Sequence, residues 1–198
     1  MNAFTLPRCA RLPLILLGAL SCVAGAADEP PRAAVDEARK ASAELVNSVR
    51  SELFKAIEAS GPLRAIVVCK YSVPEIASAM SRKYGARITR VSLTPRNPAL
   101  GWGDAWEQKV MMDFEDRFKR GEKADALEYA EVVAEPSGRF LRYMKALPML
   151  PPCMHCHGPV DQISEPIRNQ LAHDYPYDKA TGLPLGALRG AVTFKKPL

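Results

Sequence analysis

Residues 153–157 read Cys-Met-His-Cys-His, and no other stretch narrows so far what this chain can be. Two cysteines three positions apart can add their sulfurs across the two vinyl groups of one haem. The histidine directly after the second cysteine is then held beneath the iron as its proximal ligand. The spacing predicts one covalently attached haem c, with thioether bonds from Cys153 and Cys156 and an axial bond from His157. Cys-x-x-Cys-His also occurs in zinc sites and by chance, so the motif needs support from the rest of the chain.

That support starts at the N-terminus. Arg8 and Arg11 precede an apolar stretch, residues 12–23, too short to span a bilayer and followed by Ala24-Gly25-Ala26-Ala27. This is the pattern of a cleaved secretory signal, residues 1–27, cut near Ala26 or Ala27. Cys9 and Cys22 leave with it; a lipoprotein reading that keeps Cys22 is weaker, because Ala19-Leu20-Ser21 fits the preceding box poorly. A periplasmic chain with this pentapeptide is the setting expected for covalent haem. Residues 28–198 are then a single domain, long enough for one core. Losing two arginines and no acid lowers the formal net charge from +5 to +3, most of which two haem propionates would offset. So small an excess, without a basic stripe, argues against nucleic-acid binding. No second apolar run is long enough for stable membrane insertion.

The pattern between these landmarks predicts helices interspersed with short strands. Ala38, Ala41, Leu45, Val49, Leu53 and Ile57 recur at three- and four-residue steps, a long amphipathic helix over 34–60 stopped by Gly61-Pro62. Residues 63–70, short, apolar and rich in β-branched side chains, read as a buried strand. Ser72 to Glu75 reads as a capping box opening a helix that ends at Gly85. A strand over 87–93, a helix capped by Asp104 and Glu107, and two strands over 127–134 and 140–145 about Glu135-Pro136-Ser137-Gly138 follow. After the cysteine motif come a helix from Ser164 and a last strand over 190–194. The result is an α+β domain with one sheet packed on helices.

With Cys153 and Cys156 given to haem, Cys69 is the one cysteine left in the mature chain. Its bland reading is a buried free thiol; the sharper one is a sulfur ligand to the iron opposite His157. Met80, Met111, Met112, Met144, Met149 and His173 are other candidates for that position, each more simply a core or surface residue. His155 is tethered too tightly to reach the iron, and Lys70 is read as solvated, with no role.

The ordered matches Val68-Cys69, Pro74-Glu75-Ile76-Ala77, Leu93-Thr94-Pro95-Arg96-Asn97-Pro98, Asp104-Ala105-Trp106-Glu107, Arg142-Tyr143-Met144-Lys145, residues 153–158, Tyr175-Pro176, Asp178-Lys179-Ala180-Thr181-Gly182 and Arg189-Gly190-Ala191 run through most of the mature chain. They resemble a family of periplasmic or lumenal haem-c-binding proteins with a PAS-like fold, long catalogued as a domain of unknown function. Leu183, where an aromatic is expected, and Ala187, where an acid is usual, depart from its pattern. The resemblance implies a PAS-like antiparallel sheet flanked by helices behind a long N-terminal helix. It also implies that Cys69 is the distal ligand, paired with His157.

Such a pair suits ferric iron. The porphyrin's two negative charges and the sulfur's one balance Fe³⁺, whereas reduction leaves a net negative charge in a low-dielectric site. A low reduction potential is expected, with a sulfur bond weakened on reduction. Arg96, Asn97 and Tyr143 are candidates to line the haem or bind its propionates. The function implied is a mono-haem cytochrome, in electron transfer with a redox partner protein or in redox or gas sensing with a small gas ligand; catalysis is disfavoured because both axial positions are filled. The rival classes are a zinc module built from Cys69, Cys153, Cys156 and His157 or His155, and a periplasmic thiol-disulfide oxidoreductase using Cys153 and Cys156.

Overall fold

A computed structural model describes residues 29–198, so the leader read over 1–27 lies outside the described residues. Helix α1 (Arg32–Ser60) follows the expected periodicity and buries Ala38, Ala41, Leu45 and Val49. Gly61, at φ 75°, breaks it, and Pro62 opens α2 (Pro62–Val67). A π-helical turn, Val68–Ser72, leads into α3 (Val73–Tyr84), which ends on left-handed Gly85. Strand β1 (Arg87–Val91), the short α4 (Pro98–Gly101) and α5 (Ala105–Lys119) come next. The hairpin of β2 (Glu128–Glu135) and β3 (Gly138–Pro148) follows. The motif begins at the end of a 3-10 turn, Pro151–Cys153, and runs through α6 (Met154–His157), and α7 (Glu165–Asp174) and β4 (Leu188–Pro197) complete the chain.

The four strands form one antiparallel sheet in the order β1-β4-β3-β2. Alternation along the strands sends Leu141, Tyr143, Val192 and Phe194 to the face covered by α1. The other face sends Val91, Met144, Ala146 and Ala191 against Val110, Met111 and Phe114 of α5. The expected α+β architecture, a sheet flanked by helices behind a long N-terminal helix, is the one observed. Among the described residues, no helix is long and apolar enough to cross a membrane.

The α5 face carries a buried ionic cluster. Asp104 and Glu107 form the expected capping box: the Glu107 N–H donates to Asp104 Oδ1 at 2.9 Å and the Asp104 N–H to Glu107 Oε2 at 2.8 Å. Glu107, wholly buried, also accepts from Arg87 and Thr193, each at 2.7 Å, and pairs with Arg142 at 3.2 Å.

Two local readings are corrected. Residues 63–70 are not a strand but α2 and the start of the π turn. The β preference of Ile66, Val67 and Val68 amounts to a few tenths of a kcal/mol per residue, and packing overrides it. Ile66 enters a cluster with Ile163, Ile167 and Leu171, while Val68 faces α1 and the sheet. Ser72 is not a cap: its backbone is helical and its side chain caps nothing, because the helix arrives from the π turn. Pro74 accounts for that turn. It lacks an N–H and crowds the carbonyl four residues back, and the backbone adapts by bonding the Val73 N–H five residues back, to the Val68 carbonyl.

Candidate functional site

A cavity of about 430 Å³ opens between α1, the α2–α3 segment, the adjoining ends of β1 and β4, and the chain around the cysteine motif. Leu53 and Ile57 of α1, with Ile66 and Val73, give it an apolar wall. Close strand packing at Gly190 forms one end. That residue sits at φ 150°, and a Cβ there would lie 2.3 Å from the Val91 carbonyl oxygen, so only glycine lets β4 approach β1.

Cys69, Cys153, Cys156 and His157 all line this one cavity. Cys69 reaches it from the π turn rather than from a strand, and the others come from the turn after Pro151-Pro152. All three cysteines are free thiols. His157 is oriented by a hydrogen bond from Nδ1–H to the Ala180 carbonyl at 2.7 Å, which turns the Nε2 lone pair away from that carbonyl. Burial, then the charges of Arg189 and Arg96, hold the imidazole well below its ordinary range, so it is neutral, as a metal ligand must be.

Arg96 and Asn97 also line the cavity. Arg96 acts as a brace: its Nε donates to Asp178 Oδ2 at 2.9 Å and its Nη2 to the Cys156 carbonyl. Asp178 in turn accepts from the Ala180 N–H at 2.7 Å, so one acid links Arg96 to the loop that orients His157. The Asn97 side chain caps α4, accepting from Ala99 N–H at 3.1 Å. Tyr143 is not on the cavity wall; it sits under α1 and its hydroxyl donates to Glu128 at 2.8 Å. Met80, Met111, Met112, Met144, Met149 and His173 are away from the wall too, whereas His155 lies on it but is exposed.

Sequence reasoning missed two cations, Arg90 of β1 and Arg189 of β4. Among the described residues neither makes a hydrogen bond or ion pair with a carboxylate. Arg189 donates to His157 Nε2 at 3.4 Å and to Ser92 Oγ at 3.3 Å, both neutral groups. Burial and the neighbouring Arg90 and Arg96 pull its pKa down to about 10. The signal for Arg90 was available: it shares a strand face with buried Ile88, where an apolar residue belongs. Arg189 stood in the Arg189-Gly190-Ala191 match to the family, but no site role was read for it.

The arrangement narrows the chemistry. Among the described residues no three His, Cys, Asp or Glu side chains meet closely enough to hold a metal ion, which weighs against the zinc site. Burial pushes the Cys156 thiol up to about 11, the opposite of the acidic thiol a dithiol oxidant needs. Donors spread around a cavity, with an apolar wall and two arginines lacking counter-charges, instead fit a flat metal macrocycle bearing two carboxylates: a haem.

A model of the Tll0287-like family matches residues 28–197. The chain belongs to this family. Among solved structures, that of the cyanobacterial heme-protein Tll0287 is similar, with 18% sequence identity and a TM-score of 0.57 over 83% of this chain and 92% of that one. At this identity the likeness is one of fold, and it extends over nearly all of the Tll0287 chain. No curated protein matches the sequence. Membership in the Tll0287-like family agrees with the resemblance drawn from Cys69 through Arg189-Gly190-Ala191.

Proposed function

We propose that the protein is an exported mono-haem c-type cytochrome that transfers electrons at low potential. Cys153 and Cys156 would hold the haem through thioether bonds, and His157 and Cys69 would ligate its iron. One observation carries the reading: three cysteines and the neutral, oriented His157 line a single cavity together with two arginines that lack acid partners. Arg90 and Arg189 pair with the two propionates, which relieves the burial of uncompensated charge. Arg96, already committed to Asp178, stiffens the motif loop. The heme-protein Tll0287, alike in fold, supports the cofactor class, and the leader expected over 1–27 supports a periplasmic location, where haem attachment occurs.

The haem supplies a one-electron couple. The chain's own groups set its potential: the thiolate of Cys69 favours the ferric state, and the apolar wall excludes the water that would screen charge. A redox partner protein exchanges the electron; a small gas acting at the iron would first have to displace Cys69. Expression in an export-competent host with haem-attachment machinery tests the proposal. The expected product is red, weighs one haem more than the mature polypeptide, and keeps that mass after acid extraction. A colourless product of bare polypeptide mass overturns it.

A further inference from the structure

We propose that Asp174 is a positioning residue for Cys69, acting through Lys70, and that this ion pair decides whether the sulfur stays on the iron when the haem is reduced. The inference rests on the haem reading above and adds what governs the sixth ligand.

Cys69 sits on the least regular part of its helical run. The π turn bonds Val73 back to Val68, and Pro74 offers no N–H to the carbonyls of the same turn, so the segment has a weakened hydrogen-bond ladder where it presents the sulfur. Its lateral tie is the next side chain. Lys70 Nζ donates to Asp174 Oδ1 at 2.6 Å, and Asp174, almost wholly buried, is oriented by a second bond from Gln170 Nε2 at 2.8 Å. Asp174 ends α7, and Tyr175 after it lines the cavity. The other end of the α2–π segment leans on the same helix, Ile66 packing with Ile163, Ile167 and Leu171, and Cys156 lies against this cluster. Helix α7 is therefore the common support of the segment carrying the distal sulfur and the segment carrying the thioether sulfurs. The apolar cluster fixes one end of the Cys69 segment, and the ion pair fixes the end at Cys69 itself.

Reduction weakens an iron–thiolate bond, so the sulfur's retention depends on how far the turn can retreat. With Lys70 pinned, the turn would not swing away and Cys69 would stay in place against a reduced iron. With the pair broken, the turn would be free to withdraw Cys69 and leave room for an external ligand.

The test uses haem-loaded full-length protein: the parent, Asp174→Asn, Lys70→Met, and the exchanged pair Lys70→Glu with Asp174→Lys. Carbon monoxide titration of the ferrous form and imidazole titration of the ferric form are read optically, beside the midpoint potential. Both single variants are expected to bind carbon monoxide at least about tenfold more tightly than the parent and to shift the potential upward, with the exchanged pair returning toward parental values. Single variants that lose thermal stability but keep parental spectra, potential and carbon monoxide affinity overturn the inference and leave the haem reading intact. A parent without haem overturns both. Should one single variant fail to fold, Gln170→Leu, which frees Asp174 to turn, is expected to move carbon monoxide affinity in the same direction, and no movement overturns the inference.

Discussion

The Nδ1–H of His157 donates to the carbonyl oxygen of Ala180 at 2.7 Å. A carbonyl can only accept, so the proton must be on Nδ1 and the lone pair on Nε2. Ala180 is itself held by its N–H to Asp178, which grips Arg96, which grips the Cys156 carbonyl. The tautomer needed for metal binding is thus built into a closed loop of hydrogen bonds around the motif.

On the opposite side, replacing the sulfur isolates its electrostatic effect. Cys69→Ala is expected to raise the reduction potential by about 0.1 V, a part of the ~0.8 V range that axial ligands command. The ferric absorption and magnetic resonance spectra change with it. Spectroelectrochemistry checks this, and an unaltered ferric spectrum would take Cys69 off the iron.

Arg189 should act with opposite signs in the loaded and bare proteins. In the haem-free chain it is a cation facing His157 and Ser92 with no acid partner, so Arg189→Gln is expected to stabilise that form by about 1 kcal/mol. In the proposed haem-loaded protein it would meet a propionate carboxylate, and the same change is expected to destabilise and to lower the potential by removing a positive charge. Paired denaturation curves distinguish the two; a shift of equal sign in both forms would remove the propionate role.

Glu107 is the wholly buried acid of the other sheet face. Glu107→Gln leaves buried Arg142 with Asp104 as its close acid and half-exposed Arg87 facing a neutral amide, and is expected to destabilise the fold by about 3 kcal/mol in urea titration. The haem spectrum should not change, because Glu107 sits across the sheet from the cavity wall. A spectral change would show that the two faces are coupled.

Asp174 should contribute to acid sensitivity, because its carboxyl is lowered to about 2, first by its bond from Lys70 and then by Gln170. Its folded value lies below the unfolded one, so its contribution is full above about pH 4 and is lost as pH falls toward about 2. Stability measured against pH should fall less steeply across that window in Asp174→Asn than in the parent. Identical slopes would assign the acid limb to other carboxylates.

How much was legible in the chain differs by element. The periodicity of Ala38, Ala41, Leu45 and Val49 gave α1, and Asp104 with Glu107 gave the cap of α5, because both signals are local and repeat at the helical period. The β-branched run around Val67 misled, since its conformation is set by neighbours distant in sequence, Ile163 and Ile167 for Ile66 and α1 for Val68. Tyr143 drew attention through its motif, but its register on β3 turns it toward Glu128 under α1.

The order of residues by itself determined the chemistry on offer: two cysteines and a histidine at fixed spacing, one further cysteine in residues 28–198, and most of the helices and strands of the fold. Tertiary structure alone decided that Cys69 shares a cavity with His157, that Arg96 is spoken for by Asp178, and that Arg90 and Arg189 line the same space with no ion pair to an acid among the described residues. The reason is distance along the chain. Spacing within one turn is fixed by covalent geometry, whereas Cys69 and His157, or Arg90 and Arg189, meet only after a sheet has closed and buried its faces. That closure is driven by apolar contacts which carry no label for the polar groups they bring together.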